Sequence, residues 1–123
     1  MNEYLCRIVS WLDGDTAVLD VTFSVFDAPL TIREHARIYG INAPEVHSTN
    51  AVEKAAGLAS KAFAESLAPP GTKLSIAVSP DGWRDKYGRL LASLRLATGD
   101  DFAKSMIAAG QAKPWDGQGP KPV

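Results

Sequence analysis

Residues 5–41 read LCRIVSWLDGDTAVLDVTFSVFDAPLTIREHARIYGI, and the spacing of apolar side chains in this stretch decides the fold. Leu5 to Leu12 and Thr16 to Phe26 are rich in Val, Leu, Ile, Phe and Thr, which suit a pleated, half-buried surface. Asp13-Gly14 between them is a turn signal. Ala28-Pro29 is expected to break the second run, and Thr31 to Ile41 resumes it with alternating character. The three runs predict a three-stranded meander containing one long hairpin.

Beyond Ile41 the period changes. Asn50, with Glu53 three residues on, forms a capping arrangement. Val52, Ala55, Ala59, Ala62, Phe63 and Leu67 follow at helical spacing, and Pro69-Pro70-Gly71 ends the helix. Lys73 to Val78 and Arg89 to Leu96 read as two further strands, joined by a polar loop containing Asp81-Gly82. A second helix begins at Asp100 or Asp101, places Phe102, Met106 and Ala109 on one face, and stops at Gly110. Three strands, a helix, two strands and a helix predict an α+β, mainly β chain. The order suits a five-stranded barrel of the oligonucleotide-binding type (OB-fold) with two helices packed on it. Residues 1–115 are expected to form that domain, and the Gly- and Pro-rich residues 116–123 a flexible tail.

Composition limits the chemistry. A chain of 123 residues with 46% hydrophobic content can bury a core without disulfides or metals as staples. The single Cys6, in an apolar strand, is expected to be core rather than nucleophile. No apolar run is long enough for a signal peptide or a membrane span, so a monomer that meets no membrane is expected, cytoplasmic or, as the alternative, a trimmed secreted form. A formal charge of -1 argues against a protein that holds nucleic acid by bulk electrostatics. Any phosphate binding has to come from locally placed arginines.

Four segments put charge beside Gly or Pro: Asp13-Gly14-Asp15-Thr16, Arg37 to Glu45, Asp85-Lys86-Tyr87-Gly88-Arg89, and Gly110-Gln111-Ala112-Lys113-Pro114. In the second, strand alternation puts Arg37, Tyr39 and Ile41 on one face. A charged Arg between apolar neighbours is costly unless it is paired or faces a solvent cavity. Pro44 ends the strand and projects Asn42 and Glu45 beyond the sheet. A guanidinium, an amide oxygen and a carboxylate at a barrel mouth are suited to phosphate and water. The quieter alternative is a strand-end salt bridge of Arg37 with Glu45 or Asp15.

Together the four segments resemble, in order, the thermonuclease (staphylococcal-nuclease-like) family, over a span from Ile8 to about Trp115. The family's fold is the same five-stranded barrel. The resemblance implies that Arg37 and Arg89 grip the scissile phosphate and that Glu45 is the general base or orients the attacking water. It implies a calcium site at Asp15, Asn42 and the Ala43 carbonyl, and places Lys86 and Tyr87 near the nucleotide. Two guanidinium forks bind phosphate bidentately, and calcium takes hard oxygen ligands.

The departures carry expectations of their own. Asn42 stands where the family normally has a second metal-binding Asp, which makes the expected calcium site weak. The stretch from Asp15 to Arg37 is longer than the family's usual spacing, so the second hairpin should be extended. His35 and His47 show no metal-ligand spacing and are expected at the surface. Trp11 and Trp83 are expected to pack, and Lys54, Lys61, Glu53 and Glu65 to form the solvated face of the first helix. The resemblance implies a metal-dependent endonuclease acting on DNA or RNA. The alternatives are a catalytically silent OB-fold module that binds nucleic acid or protein, and an unrelated interaction barrel.

Overall fold

The computed structural model describes residues 2–78, 82, 84–117 and 120–122. The strand-forming first third of the chain becomes β1 (Asn2–Asp13), β2 (Thr16–Val25) and β3 (Ala28–Ile38). β1 pairs antiparallel with β2 on one edge (Ile8 opposite Leu19) and with β5 (Lys73–Val78) on the other (Cys6 opposite Leu74). Its register against β2 shifts between Ile8 and Ser10 and between Trp11 and Asp13, the kind of irregularity that bends a strand round a barrel. β3 runs antiparallel to β2 along its length, and Ala36–Ile38 pair in parallel with β6 (Leu90–Arg95). The order β1-β2-β3-β6-β5 closes, giving the expected five-stranded OB barrel, with α1 (Ala51–Leu67) and α2 (Phe102–Ala108) packed on it.

Two-residue strands β4 (Ile41–Asn42) and β7 (Lys113–Pro114) also pair, antiparallel. Each is too short to show a period, so neither was legible in the sequence. Their pairing draws the segment after α2 against the end of β3, and Trp115 N donates to Gly40 O at 2.9 Å beside it.

The core is apolar and continuous, with Ile8, Leu19, Ile38, Ile76, Leu94, Phe102 and Met106 essentially inaccessible. Trp11 packs, as expected: its ring stacks on Phe102 at 4.8 Å and its Nε1 donates to Ala68 O at 2.8 Å. Cys6 is buried, and that burial pushes its thiol up to about 12, which leaves it protonated and unreactive. His35 and His47 are both exposed, as expected. Trp83 and Asp81 lie outside the described residues. No helix is long and apolar enough to cross a membrane among those described.

Three expectations need correction. Ala28-Pro29 does not break the hairpin; both residues lie in β3, with Pro29 opposite Ser24. The turn is Phe26-Asp27, two residues at positive φ (51° and 64°), which suits the twist of a tight hairpin. Ile38 N donates toward β2 (Asp15 O) and Tyr39 N toward β6 (Ala92 O), so alternate residues of β3 address opposite edges. By that parity the missing N–H of Pro29 faces away from β2 and costs no bond in the β2–β3 ladder.

The second correction is the face of α1. It buries Gly57, Ser60 and Ala64 and half-buries Phe63 and Leu67, whereas Ala55, Ala59 and Ala62 are exposed and Val52 is 81% exposed. Small residues let the helix backbone approach the barrel closely, and alanines scattered around a helix do not identify its buried side. The Asn50 cap is present, its side chain accepting from Val52 N and Glu53 N. In α2 the third correction is slight: Phe102 and Met106 are buried, but Ala103 joins them and Ala109 is exposed at the C-cap.

Phe26 and Asp27 occupy a left-handed conformation that Gly, Asn and Asp adopt readily and a side chain such as Phe adopts at a cost of about 1 kcal/mol. The double substitution Phe26→Asn with Asp27→Gly places the two residue types that favour this turn at its tip. It should raise the unfolding free energy by about 1 kcal/mol, read from urea denaturation. A loss of stability would show that the fully exposed Phe26 side chain stabilises the tip.

Candidate active site

Asp15 lies between β1 and β2 and is 6% exposed. Its backbone oxygen accepts from Ile38 N at 2.8 Å, which aligns the start of β2 with the end of β3. Each side-chain oxygen has a donor: Oδ1 accepts from Thr16 Oγ1 at 2.9 Å, and Oδ2 from Ala43 N at 2.8 Å. Arg37 Nη1 is 3.4 Å from Oδ2. One carboxylate thus ties the first turn of the barrel, the last residues of β3 and the loop after β4.

Arg37 is 8% exposed. Besides Asp15 it reaches Ile38 O (3.1 Å from Nη1) and Asn42 Oδ1 (3.4 Å from Nη2), and its guanidinium lies 5.7 Å from the centre of the Trp115 ring. Burial pushes its pKa below the ordinary value; Asp15 opposes that shift, and the neighbouring Arg89 charge adds to it. Arginine stays charged even so, which makes the Asp15 pairing obligatory. Of the two salt bridges open from sequence, Arg37 takes Asp15. The expected alternation of Arg37, Tyr39 and Ile41 does not hold, because β3 ends at Ile38 and the chain turns at Gly40 (φ 90°). Tyr39 is half exposed and Ile41 is buried.

Arg89 is held by a different device. Asp85, four residues earlier, accepts from Arg89 Nε (2.7 Å), Arg89 N (2.9 Å) and Tyr87 N (2.9 Å). Partial burial pushes the Asp85 carboxyl up, but these hydrogen bonds and the Arg89 charge outweigh it and leave the pKa below the usual range. Tyr87 is 72% exposed, with the Arg89 guanidinium 5.4 Å and the Lys86 ammonium 5.2 Å from its ring centre. From outside, Arg84 clamps the same loop by donating to Gly88 O and, through both Nη atoms, to the Glu34 carboxylate at 2.8 Å.

Arg37, Lys86, Tyr87, Arg89 and Trp115 line one open groove of about 630 Å³. The structure therefore brings together the two arginines and both residues expected near the nucleotide. Glu45 is exposed at the rim, and its carboxylate pairs with Lys121 (3.9 Å between Oε1 and Nζ) rather than with Arg37. The Glu45 backbone, however, is firmly placed. Ala43 N and Val46 N donate to Asp15 and Asp13, and Gly57 of α1 lies against Glu45 so closely that an added Cβ would come within 2.6 Å of its carbonyl.

Sequence reasoning missed Trp115, Lys121 and Asp85. Asp85 carried a signal, its spacing of four from Arg89; Trp115 reaches the groove next to the β4–β7 pairing, which left none, and Lys121 left no local pattern either. Among the described residues no group of three or more His, Cys, Asp or Glu stands close enough to hold a metal ion by itself. A family model described as staphylococcal nuclease homologue matches residues 35–120, more than two thirds of the chain. No curated protein matches the chain.

Two outcomes follow from this geometry. Gly57→Ala should lower the unfolding free energy by about 1–3 kcal/mol, although Ala is the better helix former, because the added methyl meets backbone that cannot retreat. Asp85, with its folded pKa depressed, contributes stability that is present above the ordinary carboxyl value of 3.8 and lost as the pH falls through the lower folded value. Asp85→Asn should flatten the acid limb of stability against pH in that window, and an unchanged limb would remove Asp85 from the account.

Proposed function

The chain belongs to the staphylococcal nuclease homologue family, and on that premise we propose that it is a metal-dependent endonuclease hydrolysing phosphodiester bonds of DNA or RNA. The observation that carries the proposal is the convergence of Arg37 and Arg89 on one groove, each backed by its own carboxylate, Asp15 and Asp85. Guanidinium groups fixed from behind present their remaining N–H donors forward, which is what a phosphate accumulating charge on its oxygens needs. Arg37 and Arg89 grip the scissile phosphate. Glu45 orients and deprotonates the attacking water, and Tyr87 with Lys86 contacts the neighbouring nucleotide.

Asp15, Asn42 and the Ala43 carbonyl offer hard oxygens, which fit calcium in kind. They fit it weakly in charge, since Asp15 is the one carboxylate and both its oxygens already accept hydrogen bonds. Calcium bound there would lend positive charge to the phosphate oxygens and acidity to a bound water. The Asn42 side chain currently turns its oxygen to Arg37, so ligation would exchange one positive partner for another.

A second reading has support of its own. The Glu45–Lys121 pair and the fully engaged Asp15 also suit a silent module that binds nucleic acid without cutting it. Nicking of plasmid DNA in millimolar calcium, abolished by chelator, supports the enzyme; binding with no nicking under any divalent ion supports the module.

For the enzyme, Glu45→Ala should lower kcat by about 100-fold or more with binding nearly intact. Arg37→Lys and Arg89→Lys keep the charge but lose the fork, and each should cost about 2 kcal/mol or more of transition-state stabilisation, read from kcat/KM. Asn42→Asp should tighten calcium binding by about tenfold in calorimetry. Unchanged affinity in that variant would separate Asn42 from the metal.

A further inference from the structure

We propose that Lys121 forms a second phosphate subsite, holding Glu45 at rest and releasing it for the phosphate next to the one that Arg37 and Arg89 grip. The inference rests on the nuclease reading for which phosphate is cut, but its binding step does not need cleavage.

Three observations carry it. Lys121 Nζ stands 3.9 Å from Glu45 Oε1 and 5.8 Å from the centre of the Trp115 ring, while the Arg37 guanidinium stands 5.7 Å from that same centre. Two cations therefore flank one aromatic plate. A polynucleotide entering the groove beside that ring can present successive phosphates to the two charges. Second, Lys121 lines the same groove as Arg37 and Arg89, while its neighbour Pro122 lines the adjoining cleft beside Asn42 and Pro44. The segment thus forms the ridge between them, at the edge of the candidate site. Third, Lys121 sits between Pro120 and Pro122. Pro122 biases Lys121 toward extended backbone, and the two rings limit its freedom, so holding the ammonium in place costs less entropy than for an ordinary surface lysine.

The pairing with Glu45 is exchangeable by its physical character. Both side chains are more than half exposed and the separation is 3.9 Å, the kind of surface pair worth little in water. A phosphate offers the ammonium a stronger partner, and moving to it leaves Glu45 free to accept a proton from water. Lys121 is thus a substrate-binding residue that also guards the base until substrate arrives.

The test uses the full chain, a short fluorescein-labelled oligonucleotide and chelator, so that binding is read without cutting. Lys121→Met should weaken binding by about three- to tenfold and make the slope of log affinity against log salt shallower by about one, while Lys121→Arg retains both. In calcium, the KM of Lys121→Met for the oligonucleotide should rise in the same proportion, and Lys121→Arg should restore it. An unchanged salt slope, tighter binding by Lys121→Met, or wild-type protein that does not bind would each overturn the proposal. Binding that follows the predicted salt slopes without cleavage by the wild type would uphold the subsite and defeat the nuclease reading.

Discussion

A guanidinium and a carboxylate buried together at the mouth of an apolar barrel are tolerated there because each is the other's counter-charge. Arg37 and Asp15 are both under a tenth exposed, and removing either leaves an unpaired charge, the costliest defect a small core can carry. The pair also has neighbours that depend on it. Asp15 holds Ala43 N, which fixes the loop bearing Glu45, and Arg37 reaches Asn42 and lies against Trp115. Among the described buried residues only Asp15 and Arg37 are charged, and this pair decides where the β3 end, the β4 loop and the segment after α2 meet.

The remaining charges repeat the arrangement at the surface. Arg89 is held by Asp85, and Arg84 by Glu34, so the loop carrying Lys86 and Tyr87 is fixed at both ends. This local pairing explains how a chain of net charge -1 can present a cationic groove. Asp85 and Asp116 line the groove beside Arg37, Lys86, Arg89 and Lys121, so the cations there outnumber the carboxylates. Under the proposed function, phosphate would be held through a few aimed contacts rather than through a broad basic surface.

The strands and helices were legible because period-2 and period-3.6 runs of apolar residues directly encode which side is buried. The barrel order followed from them. What escaped was set by contacts that leave no local period. Pro29 looked like a strand breaker because the sequence does not show which edge of β3 is free. The buried side of α1 was hidden because it is made of Gly57 and Ser60, with Ala64 alone among the helix's alanines. Arg37 and Tyr39 were placed on one face because a strand was extended through Gly40, whose positive φ ends the alternation. In the site, the four charged segments marked both arginines, Asp15 and Glu45. They gave no sign of Lys121, or of Trp115, which arrives beside a two-residue ladder between chain segments far apart in sequence.

The central claim is that the buried Asp15–Arg37 pair organises the site, and a double-mutant cycle on stability tests it most directly. Asp15→Asn preserves the shape and an acceptor for Ala43 N while removing the charge, and Arg37→Gln removes the other. Urea unfolding of wild type, both single variants and the double variant should give a coupling energy of about 1–3 kcal/mol, with the double variant more stable than the sum of the single losses allows. Additivity within about 0.5 kcal/mol would mean that the two charges do not depend on each other, and that the site is held together by something else.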